Sequence, residues 1–183
     1  KLSAKISKKK VKELFKRVKL LLLDVDGVLT KGEIIYDSQD GEAKIFNVKD
    51  GLGVSLLGRM GINVVLITAK NSPVVRRRAK DMRADIYGGI LPKEDLLPQL
   101  EKKYSVNSQQ ICFVGDDLID IGIMRRVGIP VAVSDASFEV RKTAVYVTCH
   151  KGGEGAVREI VELILKSKSL WHKAIKEISA LKA

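Results

Sequence analysis

Short apolar runs alternate with helical segments along most of this 183-residue chain. The first run, Leu-Leu-Leu-Leu-Asp-Val at residues 20–25, is followed by Asp-Gly, which predicts a buried parallel strand. Further strands are predicted at residues 62–67, 85–87, 110–114, 130–133 and 145–147. Helices are predicted at residues 8–18, 50–60, 93–103, 117–127, 137–142 and 154–165, and from Ser72-Pro73 onward. We therefore expect an α/β fold with a doubly wound parallel sheet and helices on both faces.

Residues 32–46 do not follow this alternation. They contain two short extended runs with Asp40-Gly41 between them, a pattern typical of a β-hairpin. A chain of this length most often forms one domain. We expect a basic N-terminal segment at 1–17, one domain at 18–165 that carries the hairpin as a flap, and a C-terminal helical tail at 166–183.

The formal net charge of +11 lies in the two terminal segments. Residues 1–20 contain nine basic residues and one acidic residue, and residues 166–183 contain five lysines and one glutamate. The residues between them have a net charge of −1. Because the predicted domain has no basic excess of its own, we expect no nucleic-acid partner.

Composition also bears on membranes and on the cysteines. No apolar stretch approaches the roughly 20 residues that cross a bilayer, and the run after the basic N-terminus is too short for a secretory signal. Cys112 and Cys149 form neither a disulfide framework nor the paired spacing of a zinc site. We therefore expect a cytoplasmic protein with no membrane partner.

Polar side chains follow three of the predicted strands. Asp24 and Asp26 follow the first strand, Thr68 follows the second, Asp116 follows the strand at 110–114, and Lys93 opens a helix. Any one of them alone would be explained as a helix cap or a turn residue. Because ligands of open α/β sheets bind beyond the carboxyl ends of the strands, together they indicate a functional site.

The order of these motifs resembles the haloacid dehalogenase superfamily of phosphotransferases over residues 18–165. The resemblance rests on Asp-Val-Asp-Gly-Val-Leu-Thr at 24–30, Thr68, Lys93 and Gly-Asp-Asp-Leu-Ile-Asp at 115–120. Four more segments resemble the branch without a cap domain that contains the 3-deoxy-D-manno-octulosonate (KDO) 8-phosphate phosphatases. They are residues 46–51, 75–79, 132–136 and 152–159. The resemblance implies a Rossmann-like core and an enzyme of lipopolysaccharide biosynthesis that hydrolyses an acidic sugar phosphate.

The residue types suit that chemistry. The Asp24 carboxylate can attack phosphorus and form an aspartyl phosphate. Two residues further along an extended segment, Asp26 returns to the same side and can act as general acid and then as general base. Thr68 and Lys93 can stabilise the charge on the phosphoryl oxygens.

A carboxylate and a phosphate dianion need a cation between them, and an all-oxygen site suits Mg²⁺. The resemblance implies Asp24, the main-chain carbonyl of Asp26, and Asp116 as its protein ligands. Asp117 is either a further site residue or the cap of its own helix, and Asp120 is a candidate to orient the metal shell. Gly27 and Gly115 are expected where the backbone turns tightly and approaches the ligand.

For the substrate, the resemblance implies binding by Asp26 and Lys93 together with the residues that match the family's sugar contacts. These are Asn47, Lys49, Asp50, Gly51, Lys70 and Arg78. A basic pair at 70 and 78 suits a sugar carboxylate. Of the three consecutive arginines 76–78, two are expected only on a solvated helix face.

The sequence departs from the family at two places. Thr68-Ala69-Lys70 replaces the usual Thr-Gly-Arg, and Lys31-Gly32 replaces Asp-Gly. Both changes leave the exact sugar open. Nonulosonate 9-phosphate phosphatases, which have an acidic residue at the position of Lys70, are therefore an alternative, as is a non-catalytic basic binding module that uses the terminal segments.

The chain has no room for a cap domain, since the hairpin alone fills the space after the first motif. In the resembling family this hairpin builds a tetramer and borders the site of the adjacent protomer. The resemblance thus implies a homotetramer with active sites at subunit interfaces. The alternative is a surface hairpin on a monomer.

Overall fold

The computed structural model describes residues 7–36, 38 and 41–180. Within them, six parallel strands form one sheet in the order β5-β4-β1-β6-β7-β8. These strands are β1 (Leu20–Leu23), β4 (Asn63–Thr68), β5 (Asp85–Gly88), β6 (Ile111–Gly115), β7 (Ile129–Ala132) and β8 (Tyr146–Val147). The fold is the predicted doubly wound sheet, and each predicted strand is present with its ends shifted by a few residues.

Eight α-helices are present in the described residues. They are α1 (Lys8–Lys16), α2 (Val48–Arg59), α3 (Pro73–Met82), α4 (Leu97–Tyr104), α5 (Ile121–Met124), α6 (Phe138–Thr143), α7 (Ala156–Ser167) and α8 (Trp171–Ser179). Among the described helices, none is both long enough and apolar enough to pass through a bilayer.

The bounds of the predicted helices are shifted, and for three of them the structure shows how. The helix predicted at 93–103 begins as a 3-10 turn, Lys93–Leu96, and continues as α4. The helix predicted at 117–127 is reduced to α5 because the side chains of Asp117 and Asp120 cap a 3-10 turn in front of it. α7 begins two residues later than predicted, since Gly155 adopts a positive φ of 104°.

The order of the strands determines where a ligand can bind. From β1 the chain moves outward through β4 to β5, then returns to the other side of β1 and continues from β6 to β8. β1 is therefore paired with β4 on one side and β6 on the other, and the direction of winding reverses at this point. Such a reversal opens a crevice beyond the carboxyl ends of the central strands.

The predicted hairpin is present as a separate two-stranded sheet of β2 (Ile35–Tyr36) and β3 (Glu42–Ala43). The strands pair antiparallel, with Tyr36 opposite Glu42. Asp40 of the predicted turn lies outside the described residues, as do residues 1–6 and 181–183.

Both terminal helices pack on the domain. α1 packs against α7, and its buried Phe15 ring meets Tyr146 of β8 edge to face at 5.5 Å between centroids. α8 also packs against α7 and buries Ala174. The Lys168 ammonium donates to the carbonyl of Lys16 at 2.8 Å, so the two basic segments of the sequence meet on one side of the molecule.

Replacing Phe15 with alanine tests the packing of α1. Because the ring is fully buried, we expect Phe15→Ala to lower the free energy of unfolding by about 3–5 kcal/mol in urea denaturation. Exposed Lys12 on the same helix is the control, and Lys12→Ala should change stability by less than about 0.5 kcal/mol. Equal stability of the two variants would show that α1 is not part of the core.

Candidate active site

Asp24 stands at the carboxyl end of β1, in the crevice between β4 and β6. Its backbone N–H donates to the carbonyl of Val114 in β6 at 3.0 Å, which continues the parallel pairing beyond the strand. The preceding leucines of β1 are fully buried and fix the strand in the centre of the sheet. A rigid central strand therefore carries this carboxylate.

A buried lysine joins two of the carboxylates. The Lys93 ammonium lies 2.5 Å from Asp24 Oδ1 and 2.7 Å from Asp120 Oδ1, and Lys93 and Asp120 are both 0% exposed. Burial opposes the charge on Lys93, but the two carboxylates more than offset it and raise the pKa of Lys93. The lysine is thus a fixed positive charge beside Asp24.

Asp120 also positions the loop that bears Asp116. Its second oxygen, Oδ2, accepts from the backbone N–H of Asp116 at 2.9 Å, so that one buried carboxylate holds both Lys93 and this loop. The sequence made Asp120 a candidate to orient the residues around the metal. In the structure its carboxylate contacts Lys93 and the loop that carries Asp116. Asp117 is a cap: its Oδ1 accepts from the Leu118 N–H at 2.8 Å.

Three carboxylates form a cluster at this point. Oxygen atoms of Asp24, Asp116 and Asp120 all lie within 4.8 Å of one another. Burial raises the pKa of Asp24 to about 6 although Lys93 lowers it, and burial together with the charges of Asp24 and Asp120 raises the pKa of Asp116 to about 8. One lysine does not balance three carboxylates, so the cluster favours a further cation.

The donors fit a hard divalent metal such as Mg²⁺. Asp24 and Asp116 offer carboxylate oxygens, and Gly27 leaves the room that the Asp116 carboxylate occupies: a Cβ there would lie 1.9 Å from Asp116 Oδ2. Gly27 also has a positive φ of 88°. The glycine predicted for a tight turn is therefore needed for both reasons. At Gly115, a Cβ would come within 2.5 Å of Asp120 Oδ2.

A second loop closes on the turn after β1. The N–H of Gly153 donates to the carbonyl of Val28 at 2.9 Å. A Cβ on Gly152 would lie 1.7 Å from the carbonyl oxygen of Gly27. Backbone from residues 152–153 thus packs directly against backbone from residues 27–28.

Thr68 ends β4 beside Asp24. It is buried, and its Oγ1 accepts from the backbone N–H of Lys70 at 3.2 Å. Because the hydroxyl accepts in this bond, its own proton is left to donate to another oxygen. Sequence reasoning placed Asp24, Thr68, Lys93 and Asp116 at one edge. In the structure Asp24, Thr68 and Asp116 lie at the carboxyl ends of the adjacent strands β1, β4 and β6, and Lys93 reaches Asp24 from the turn before α4.

Asp26 meets a residue that sequence reasoning missed. Its Oδ1 lies 2.5 Å from the ammonium of Lys44, which follows β3 of the hairpin. Lys44 also lies 3.0 Å from Glu42, and Glu42 accepts from the Ser72 hydroxyl at 2.6 Å. Glu42 and Lys44 are two residues apart in an extended segment and therefore share a face. That spacing was the signal in the sequence that the two side chains act together. It did not show which part of the sheet the hairpin covers.

Asn47 and Arg78 connect the hairpin to the helices. The Asn47 side chain caps α2 by accepting from Lys49 N–H at 2.8 Å, and it donates to the Gly153 carbonyl at 3.3 Å. Arg78 donates to the Asn47 carbonyl at 3.0 Å and lies over the Phe46 ring. A Cβ at Gly51 would meet the Arg78 guanidinium at 2.2 Å, so this close approach requires glycine.

The remaining candidate substrate contacts have different environments. Asp50 is fully buried, and its Oδ1 accepts from the Arg158 N–H at 2.7 Å, so it anchors the start of α7 rather than facing the crevice. Lys49 and Lys70 are exposed. Arg76 and Arg77 are also exposed while Arg78 is half-buried, in agreement with two solvated arginines out of three.

A cavity of about 250 Å³ lies at the opposite edge of the sheet. Its walls include Asn63 and Asp85, at the amino ends of β4 and β5, together with Arg59 and Tyr104. None of the carboxylates described above lines it, so it is separate from the candidate active site.

Comparison with known proteins agrees with this geometry. The sequence model of the haloacid dehalogenase-like hydrolase family matches residues 67–160. The chain is 40% identical to the KDO 8-phosphate phosphatase KdsC of Yersinia pestis, over 81% of this chain and 80% of that protein. It is 34% identical to the enzyme of the same name from Haemophilus influenzae, over 86% and 88% of the two chains.

A solved structure is similar over nearly the whole chain. The KDO 8-phosphate phosphatase of Moraxella catarrhalis, in complex with magnesium, phosphate and KDO, superimposes with a TM-score of 0.90 at 36% identity. The match covers 94% of this chain and 99% of that one. The chain described here therefore belongs to the haloacid dehalogenase-like hydrolases and, within them, to the family of KDO 8-phosphate phosphatases.

Proposed function

We propose that this protein is a Mg²⁺-dependent phosphatase that hydrolyses KDO 8-phosphate to KDO and inorganic phosphate. The observation that carries the proposal is the buried Lys93 held between Asp24 and Asp120 beside Asp116, at the reversal point of the sheet. Relatives that cover most of the chain are KDO 8-phosphate phosphatases, and one was solved with magnesium and KDO.

In the first step, a carboxylate oxygen of Asp24 attacks phosphorus. The new bond forms between that oxygen and phosphorus, and the bond between phosphorus and the ester oxygen of the sugar breaks. The electron pair stays on the ester oxygen, which takes a proton from Asp26 and leaves as the alcohol. Thr68 donates to a phosphoryl oxygen, and Lys93 supplies fixed positive charge throughout.

In the second step, water attacks the phosphorus of the aspartyl phosphate. Asp26 takes a proton from that water, and the bond between phosphorus and Asp24 breaks, which restores the Asp24 carboxylate and releases phosphate. Asp24, Asp116 and the main-chain carbonyl of Asp26 would hold Mg²⁺, which would supply the positive charge that lets carboxylate and phosphate approach each other.

The sugar end of the substrate is proposed to lie between the hairpin and α3. Lys70 is exposed two residues beyond Thr68 and offers an ammonium to a sugar carboxylate. Asn47, Lys49 and Gly51 are proposed contacts on the hairpin side, and Arg78 supports them through the Asn47 carbonyl. For Asp50 the proposed role is to hold this segment against α7.

We also propose a homotetramer in the cytoplasm, with hairpins at the subunit interfaces. The hairpin exposes several large apolar side chains, among them Ile34, Ile35, Tyr36 and Ile45, with Tyr36 71% exposed. Apolar side chains grouped in this way favour a protein contact. Both cysteines are free thiols, which suits a reducing compartment.

Replacing the nucleophile tests the reaction. With Mg²⁺, the wild type should release phosphate from KDO 8-phosphate, and Asp24→Asn should lower kcat by about a thousandfold or more because no aspartyl phosphate forms. Asp85→Asn is the matched control, since Asp85 lies at the other end of the sheet and pairs with Lys103. A faster reaction with a nonulosonate 9-phosphate would favour the alternative substrate, and no release from any phosphomonoester would refute the proposal.

Binding of Mg²⁺ can be measured through the thermal stability of the protein. Because Mg²⁺ relieves the repulsion among the clustered carboxylates, a concentration of 100 Kd should stabilise the fold by about 2.7 kcal/mol and raise Tm by about 5–10 °C. Asp116→Asn should remove most of this shift in differential scanning fluorimetry, and Asp85→Asn should retain it. A shift that is the same in both variants would place the metal elsewhere.

Light scattering tests the tetramer. The wild type should have four times the chain mass of 20.2 kDa. Ile45→Asp on the hairpin should reduce that mass because a carboxylate replaces an apolar contact, while Ile175→Asp on α8 should leave it unchanged. A wild-type mass of one chain would contradict the assembly.

A further inference from the structure

Lys44 has a buried side chain on a hairpin whose described residues are mostly exposed. Its side chain is 0% exposed, whereas its chain neighbours Ala43 and Ile45 are exposed. Its ammonium lies 2.5 Å from Asp26 Oδ1 and 3.0 Å from Glu42 Oε1. Burial disfavours the charge, but these two carboxylates more than offset it and raise the pKa of Lys44. Lys44 is therefore charged at neutral pH.

Glu42 keeps Lys44 in place from the other side. Its Oε1 faces Lys44, and its Oε2 accepts from the Ser72 hydroxyl at 2.6 Å. Ser72 is the cap residue of α3, where its hydroxyl oxygen accepts from the Val75 N–H at 3.4 Å. The base of the hairpin is thus fastened to a helix, and the ammonium is held where it meets Asp26.

Asp26 needs such a restraint for its proposed role. Its side chain is 28% exposed, so packing alone does not fix the orientation of the carboxyl group. Lys44 binds Oδ1 and leaves Oδ2 for proton exchange with the ester oxygen or with water. Proton transfer in a transition state depends on alignment, and a small misplacement of a reacting group costs up to about a hundredfold in rate.

We propose that Lys44 is a positioning residue for the general acid: it holds one oxygen of Asp26 so that the other meets the leaving group. This inference rests on the proposed phosphatase function. It differs from the role of Lys93, which contacts Asp24 and Asp120 instead of Asp26 and acts on the phosphoryl charge.

Two esters with different leaving groups separate these roles. A sugar or alkyl ester leaves as an alkoxide and needs a proton, whereas p-nitrophenyl phosphate leaves as a nitrophenolate that is stable without one. We expect Lys44→Met to lower kcat/KM for the sugar phosphate by about 10- to 100-fold while kcat/KM for p-nitrophenyl phosphate changes less than about twofold. This ratio is the one to measure because kcat/KM reports the step in which the leaving group departs and not the later hydrolysis of the aspartyl phosphate, in which Asp26 serves both esters. Lys44→Gln, a milder change, should show the same selectivity, and Asp26→Asn should show it more strongly.

The double variant gives an independent readout. If Lys44 acts through Asp26, then Asp26→Asn combined with Lys44→Met should be no slower on the sugar phosphate than Asp26→Asn alone. Lys103→Met is the matched control because it removes an ion pair of similar length, 2.7 Å to Asp85, on the exposed surface. It should leave both rates unchanged.

Two results would contradict the positioning role of Lys44. Equal losses on the two esters in both Lys44 variants, or losses that multiply in the double variant, would overturn the positioning role and indicate a direct contact with the phosphoryl group or a structural function. The proposed phosphatase function would still stand, because the wild type would hydrolyse both esters. A wild type that hydrolyses neither ester would refute the function and, with it, the role of Lys44.

Discussion

The contact between Lys93 and two buried carboxylates is the interaction on which the site depends. An isolated ammonium at 0% exposure would be strongly unfavourable, and so would the carboxylates of Asp24 and Asp120 without it. Together they form a small ionic network whose members come from β1, the turn before α4 and the turn before α5. Because the network retains an excess of negative charge, it is complete only when a cation joins it.

The sheet explains why these groups meet. Reversal of the winding at β1 places the ends of β4 and β6 on either side of Asp24, so residues far apart in the chain reach one crevice. The buried strand holds Asp24, while the loops supply the other carboxylates and hydrogen-bond donors. Rigid placement of this kind is what electrostatic stabilisation of a transition state requires.

Much of this arrangement could be predicted from the sequence. The apolar run before Asp24 indicated a buried central strand, and the rule that ligands bind at strand ends brought Thr68, Lys93 and Asp116 together. Local patterns predicted helix bounds less well where side chains compete with backbone carbonyls for the backbone N–H groups. The helix expected from residue 117 is shortened because Asp117 and Asp120 cap a 3-10 turn.

Long-range packing was beyond the sequence patterns. Lys44 and Glu42 belong to a hairpin whose position over the sheet depends on tertiary contacts, so their meeting with Asp26 and Ser72 had no local signature. Asp50 was expected at the substrate, but its carboxylate is bound to the backbone of a helix that begins more than a hundred residues later. Burial of α1 through Phe15 likewise depends on a distant partner, Tyr146.

The close packing of Gly152 against Gly27 has a consequence for synthesis of the protein. The turn that follows Asp24 is packed against backbone from residues 152–153, which are made long after it. A nascent chain that has not yet released those residues from the ribosome lacks this packing on the turn. Cleavage of the chain before Gly152 would therefore remove the backbone that packs against the turn after Asp24.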